Sequence, residues 1–182
     1  MSKTISLRLF RPGQTGGEGV TVLKNLWPKI QANLRLANNS HVAVGFPGEA
    51  PKSQKVDKAH GPMTNAQVAI ANEFGSAPGA KPVVPARPFI GETVRRHKGD
   101  MQELASGLLG MIAVGDMSTN IALGRMGKDG ADKVQETIVQ SPTWAVPNAP
   151  FTKAKKKSST PLIDTGAMRQ AVTYKVRMKG SK

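Results

Sequence analysis

Asp164 is the residue that most invites a chemical reading, because Leu162-Ile163-Asp164-Thr165-Gly166-Ala167 delivers a carboxylate from an apolar pair into a tight Thr-Gly turn. Such a carboxylate suits general acid–base work if partners and enclosing segments surround it. Other candidates are weaker. His41, His60 and His97 are the only histidines, and none forms the i, i+4 pair that a helical metal site uses. Gly124-Arg-Met-Gly127-Lys128-Asp129 imitates a phosphate loop, yet it lacks the longer spacer and the Ser or Thr after the lysine that would hold magnesium. Gly13 to Gly19 has no strand–turn–helix frame for a dinucleotide. Glu92 and Glu103, like Asp129 and Asp132, read as single carboxylates on solvated helix faces. With no cysteine in 182 residues, disulfides, thiolate zinc sites, iron–sulfur clusters and cysteine nucleophiles are excluded. These residues predict a protein that is not an enzyme and holds no cofactor or metal.

The stretch around Asp164 reproduces the apolar-apolar-Asp-Thr-Gly-Ala signature of retroviral aspartic proteases. In those enzymes the aspartate comes early and a flap and most of the sheet follow it, whereas here 18 residues follow Asp164. A local role needs less. Asp164 or Thr165 accepts a backbone N–H as helix N-cap for Ala167 to Gln170, and Gly166 permits the turn before it.

What remains is binding, and charge is its main signal. The chain carries 26 Lys+Arg against 12 Asp+Glu, a net charge of +14. Residues 1–60 hold nine basic and three acidic side chains, residues 61–140 eight of each, and residues 141–182 nine basic side chains with Asp164 alone opposing them. Two basic ends therefore flank a neutral middle. Such a field favours polyanions or acidic protein surfaces as neighbours. Near the lysine run 153–157 the aromatics are Phe151 and Trp144, too few for base stacking along a strand. Nonspecific phosphate contact and ordering against an acidic neighbouring subunit are both open to that run. A membrane span is not predicted: the longest apolar stretch, Leu104 to Gly115, has 12 residues, where about 20 are needed. Arg8 interrupts the apolar run from Ile5 to Phe10, so no signal segment is predicted.

The elements that must position these residues follow from periodicity. Ser2 to Phe10 alternates as a strand, and Val20 to Leu36 repeats at three and four as a helix that Pro28 kinks or begins. His41 to Phe46 reads as a short strand and Pro47 to Pro62 as a polar loop with Lys52, Lys55 and Lys58. Thr64 with Gln67 forms a capping box for a helix that runs through Phe74 and is closed by Gly75. Ser76 to Pro88, with four prolines, is extended. Ile90 to Ala113 carries one apolar stripe of Ile90, Val94, Met101, Leu104, Leu108, Met111 and Ile112, and a second helix spans about Ser118 to Gln140, weakened by Gly124, Gly127 and Gly130. Ser141 to Ile163 reads as a loop with four prolines and the lysine run. Ala171 to Met178 alternates as a closing strand. The expected class is α+β: a small, mostly antiparallel sheet packed against a short helix and a long helix pair, with extended loops and terminal arms. One domain is expected over 1–182, with an N-terminal strand and helix (1–40), a helical body (41–140), a basic Pro/Lys-rich loop (141–163) and a closing turn and strand (164–182). Eight aromatics leave its core to Leu, Ile, Val, Met and Ala.

Several segments taken together carry more than any one alone. Asn72-Glu73-Phe74-Gly75 after an Ala-rich helix, Pro85-Ala-Arg87-Pro88-Phe89-Ile90 at the start of a long helix, Pro147-Asn-Ala-Pro-Phe-Thr152, a lysine-rich stretch and Pro161 to Tyr174 follow in order. From about His41 to Met178 this combination resembles the tail completion, head–tail joining, neck or minor tail proteins of tailed bacteriophages. The resemblance implies a structural virion protein, assembled in the host cytoplasm, that forms a six- or twelve-membered ring at the head–tail junction. Its partners would be copies of itself, portal-side connector proteins and tail-tube or sheath proteins, with nonspecific contact to packaged DNA. A nonspecific nucleic-acid-binding protein acting through its basic arms is the alternative. The expected subunit or DNA contacts are Lys153, Lys155, Lys156, Lys157, Arg169, Lys175 and Arg177. Glu73, Phe74, Gly75, Arg87, Pro88, Phe89, Asp164, Thr165 and Gly166 are expected to be structural, with Arg87, Pro88 and Phe89 fixing the start of the long helix.

Overall fold

A left-handed glycine turns the longest helix back on itself and so sets the architecture. In the computed structural model, which describes residues 27–47, 52–57, 61–80, 83–155 and 159–178, the elements in order are α1 (Trp27–Asn38), β1 (His41–Gly45), β2 (Lys52–Asp57), β3 (Gly61–Thr64), α2 (Asn65–Phe74), α3 (Phe89–Val114), α4 (Thr119–Val139), a 3-10 turn (Ser141–Thr143), α5 (Pro150–Lys155), α6 (Ala167–Gln170) and β4 (Thr173–Arg177). Gly115, at φ 86°, ends α3 with its N–H donating toward Ile112 and Met111 carbonyls, a conformation that costs glycine little. Ser118 then caps α4 through the Ile121 N–H. The two long helices pack side by side and form the centre of an α+β fold.

Two antiparallel pairs accompany them. β1 pairs with β4, from His41 opposite Arg177 to Gly45 opposite Thr173, and β2 pairs with β3. The β1–β4 ribbon lies on α4 at a place where the helix lacks side chains. A Cβ on Gly127 would stand 2.3 Å from Tyr174 Cδ2 and 2.8 Å from Val42 Cγ2, and one on Gly130 would stand 3.1 Å from Val44 Cγ2. The glycines that weaken α4 as a helix are thus what lets the ribbon approach it.

Packing divides into two clusters. The larger gathers Ala69, Phe89, Ala131, Val134, Ile138, Leu162, Met168 and Val172; the smaller joins Leu108, Ile112 and Ala122 near the α3–α4 turn. Phe89 is wholly buried at the head of α3, as expected for the residue that seats the helix. The expected α3 stripe is buried only in part: Leu108 and Ile112 are inside, but Val94 and Met111 are 50% and 45% exposed.

Four expectations need correction or limits. The polar loop 47–62 contains the β2–β3 hairpin, because ladder hydrogen bonds use backbone groups and Lys-Ser-Gln-Lys-Val-Asp shows no side-chain alternation to announce them. The loop 141–163 contains a 3-10 turn and α5, with Pro142 and Pro150 in their first turns, where proline's missing N–H costs nothing. The helix expected from Val20 begins at Trp27 within the described residues, and α1 buries none of its side chains. The strand expected at Ser2 to Phe10 lies outside the described residues.

Candidate functional site

Four of the five segments that carry the sequence resemblance meet around one cleft, the lysine-rich stretch being the exception. Its volume is about 690 Å³, and it lies between α2, residues 83–87, residues 146–149 and the turn at 161–168. The construction starts at α2, which opens on the Thr64–Gln67 capping box. It ends at Gly75, where φ is 75° and a Cβ would come within 2.9 Å of both Ala86 N and Val84 O. Only glycine meets both conditions. The loop that follows closes on itself, with Ser76 N donating to Val84 O at 2.9 Å and Val84 N to Ser76 Oγ at 2.9 Å.

Asn72 and Glu73 then fasten this loop to the long helix. The Arg87 N–H donates to the Asn72 carbonyl at 2.6 Å. Glu73 accepts from Ile90 N at 2.9 Å and Gly91 N at 3.1 Å, so a side chain from α2 supplies the cap that Pro88, at the N-cap position of α3, does not. A carboxylate there satisfies two orphan donors and opposes the positive end of the helix dipole.

Arg87 is the node of the cleft. It is 6% exposed, and its Nε donates to Val146 O at 2.8 Å while Nη2 donates to Pro147 O at 3.4 Å and Asn148 Oδ1 at 3.2 Å. Asn148, itself buried, passes the connection on: Nδ2 donates to the Ser159 and Thr160 carbonyls at 3.3 Å. Within the basic Pro/Lys-rich segment, one asparagine thus ties residue 148 to residues 159 and 160. Across the cleft Gly166 is left-handed at φ 82°, and Thr165 Oγ1 accepts from Ala167 N at 3.4 Å. The Asp-Thr-Gly stretch thus forms a turn into α6, with Met168 buried behind it.

The cleft is lined by one cation and one carboxylate, Arg87 and Asp164. Burial lowers the Arg87 pKa from the ordinary guanidinium value, and no carboxylate among the described residues pairs with it. On the two long helices several charges are matched locally. Hydrogen bonds from Arg95 and then Arg96 pull the Glu92 carboxyl down to about 2, and Asp132 raises the Lys128 pKa through its hydrogen bond.

The expected contact residues do not share one site. Lys153 is exposed on α5 and Lys155 ends that helix, whereas Lys156 and Lys157 lie outside the described residues. Lys175 and Arg177 are exposed on β4, and Arg169 is partly buried on α6. Two residues that matter here escape a reading by residue type. Asn148 is signalled only by the prolines on either side of it, and Gly127 is hidden in a helical pattern. Among the described residues no cluster of three potential metal ligands exists, and no helix is long and apolar enough to cross a membrane.

Compared with protein-family models, curated proteins and solved structures, the chain finds no match.

Proposed function

We propose that the protein is a non-enzymatic assembly subunit that forms a ring at the head–tail junction of a tailed bacteriophage, joining portal and tail around the DNA channel. The observation that carries this reading is the set of exposed apolar side chains on α2 and on the rim of the cleft. Ile70 and Phe74, one turn apart on α2, are 59% and 76% exposed, and Val83 and Val146 are 78% and 51% exposed. Large apolar side chains exposed in such numbers mark interaction surfaces, and covering each fully would contribute about 1.5–3 kcal/mol.

Two further features support it. The β1–β4 pair is a two-stranded ribbon among the described residues, which is marginal alone and open to strand addition by a neighbour. The middle of the sequence, which supplies α2, α3 and α4, is electrically neutral and so can pack against copies of itself despite the net charge of +14. Heterologous contacts that close by rotation give a ring.

Light scattering and negative-stain imaging of the purified protein, alone and mixed with portal or tail particles, test the proposal. A ring, or incorporation at the end of a particle, is the expected result. A protein that stays monomeric, joins no particle and binds duplex DNA with a steep salt dependence refutes it in favour of nonspecific nucleic-acid binding.

A further inference from the structure

Exposed apolar side chains gather at both ends of the longest helix, and only one of these ends borders the cleft. Near the N-terminus of α3, to which Glu73 ties α2, Ile70, Phe74, Val83 and, on α5, Phe151 are exposed. Met111 and Val114 at the C-terminus of α3 are exposed as well, and so is Ile121 in the first turn of α4. The helix between the two ends has 26 residues and at about 1.5 Å per residue spans about 39 Å. Charge also differs between them. On the cleft side α5 carries Lys153 and Lys155, and the first ten residues of α3 hold Arg95, Arg96 and Lys98 against Glu92. Residues 99–124 hold no lysine or arginine, and their three carboxylates, Asp100, Glu103 and Asp116, are all exposed. α1 lies alongside, since a Cβ on Gly115 would stand 3.3 Å from Lys29 Nζ, and it adds Lys29 and Arg35. Charges at the turn end therefore nearly cancel, in a chain whose net charge is +14.

We infer that these two ends are the two halves of one interface between copies of the chain, with the α2–α5 end of one copy seated on the α3–α4 turn of the next. Large apolar side chains left in water at two separate places mark two contact surfaces. Charge selects how they pair. A contact between two α2–α5 ends brings Lys153 toward its own copy, which is repulsive, and leaves the turn end uncovered. Head-to-tail contact brings the lysines toward the carboxylates of the turn end and covers both apolar sets, an arrangement that steers encounter and fixes the register. Because the two surfaces differ, each copy presents a fresh one to the next until rotation closes the ring. This rests on the reading of the protein as a ring subunit, and it adds which surfaces meet.

The test uses the whole protein in two variants, Ile70→Glu/Phe74→Glu at one end and Val114→Glu/Ile121→Glu at the other, all at exposed positions. Circular dichroism checks the fold and sedimentation velocity reads the assembly. The wild type is expected to assemble, and each variant alone to stay monomeric at the same concentration, its assembly midpoint raised by about a hundredfold or more through the loss of two covered apolar side chains. An equimolar mixture of the two should form a dimer and nothing larger, because the intact turn end of the first variant accepts the intact α2 end of the second and no further intact pair remains. A variant that assembles like the wild type overturns the inference and leaves the ring reading standing. So does a Val114→Glu/Ile121→Glu protein that pairs with itself while the mixture forms no mixed dimer, the signature of two α2 ends in contact. A wild-type protein that is monomeric at every concentration also overturns it, and incorporation into particles then decides the ring reading separately. If a variant fails to fold, hydrogen exchange of the wild type above and below its assembly concentration decides: protection must rise over both 65–74 and 111–121, and a rise at one alone overturns the inference.

Discussion

Replacing Gly127 by Ala tests the packing logic of the fold most directly. An added methyl would sit 2.3 Å from Tyr174 Cδ2, 2.5 Å from Cγ and 2.8 Å from Val42 Cγ2, where carbon atoms settle at about 3.5–4.0 Å. The overlap with the root of the ring is more than 1 Å by that standard, so a simple rotation of the ring does not remove it. The ribbon must lift off α4 or the helix must shift. Overpacking of this kind costs about 1–3 kcal/mol, and the better helix propensity of alanine returns about 1 kcal/mol. A net loss of up to about 2 kcal/mol is expected, or roughly 2–4 °C in Tm per kcal/mol for a chain of this size. Gly107 and Gly110 on α3 serve as controls, since nothing lies within 4 Å of a Cβ at either position. Each should gain about 0.5–1 kcal/mol as alanine. Urea unfolding followed by circular dichroism at fixed protein concentration measures the shifts, because self-association would otherwise move the apparent stability. Tyr174 is the only tyrosine, so its ring resonances report the local displacement unambiguously. Combining Gly127→Ala with Tyr174→Ala should cost less than the sum of the two changes, by a coupling of about 0.5–3 kcal/mol. A Gly127→Ala protein as stable as the wild type, with unmoved tyrosine resonances, refutes the reasoning.

Two other perturbations separate the cap from the surface ion pairs. Glu73→Ala removes the acceptor of both Ile90 and Gly91 N–H groups and should cost about 1–2 kcal/mol, with Glu73→Gln recovering part of it; urea midpoints with an unchanged m-value are the check. Glu92, held at about 2 by Arg95 and Arg96, stays ionised in the folded state below the pH at which it protonates when unfolded. Its contribution is therefore present above about pH 4.5 and fades as the pH falls toward 2. A carbon-detected NMR titration should place its midpoint near 2 and move it upward in the Arg95→Gln/Arg96→Gln variant. A midpoint in the ordinary carboxylate range for the wild-type protein contradicts the pairing seen in the structure.

Local chemistry was readable where a single residue type has few roles. The Thr64–Gln67 capping box, the Gly75 stop and the two long helices, the first expected from Ile90 and observed from Phe89, follow from spacing, and the structure shows each of them. Pairings distant in the chain were not readable. Glu73 reaches across 17 residues to cap α3, and Arg87 reaches 61 residues to Asn148; neither residue type announces its partner. The β2–β3 hairpin escaped because its side chains do not alternate, and α5 escaped because a single turn after a proline has too few residues for a period. In α4 the glycines read as weakness, since propensity counts what a residue does to its own helix and not what it makes room for. The cleft was legible only as a set of segments whose order in the chain suggested that they belong together.

The β1–β4 ladder sets His41 opposite Arg177, which means that the chain before β1 and the chain after β4 meet the ladder at the same end. Arg177 stands exposed at that end of the ladder and Lys175 two residues further in. A force drawn through both continuations at once therefore loads the ribbon as a zipper is loaded, on the His41–Arg177 pair first and on Gly45–Thr173 last.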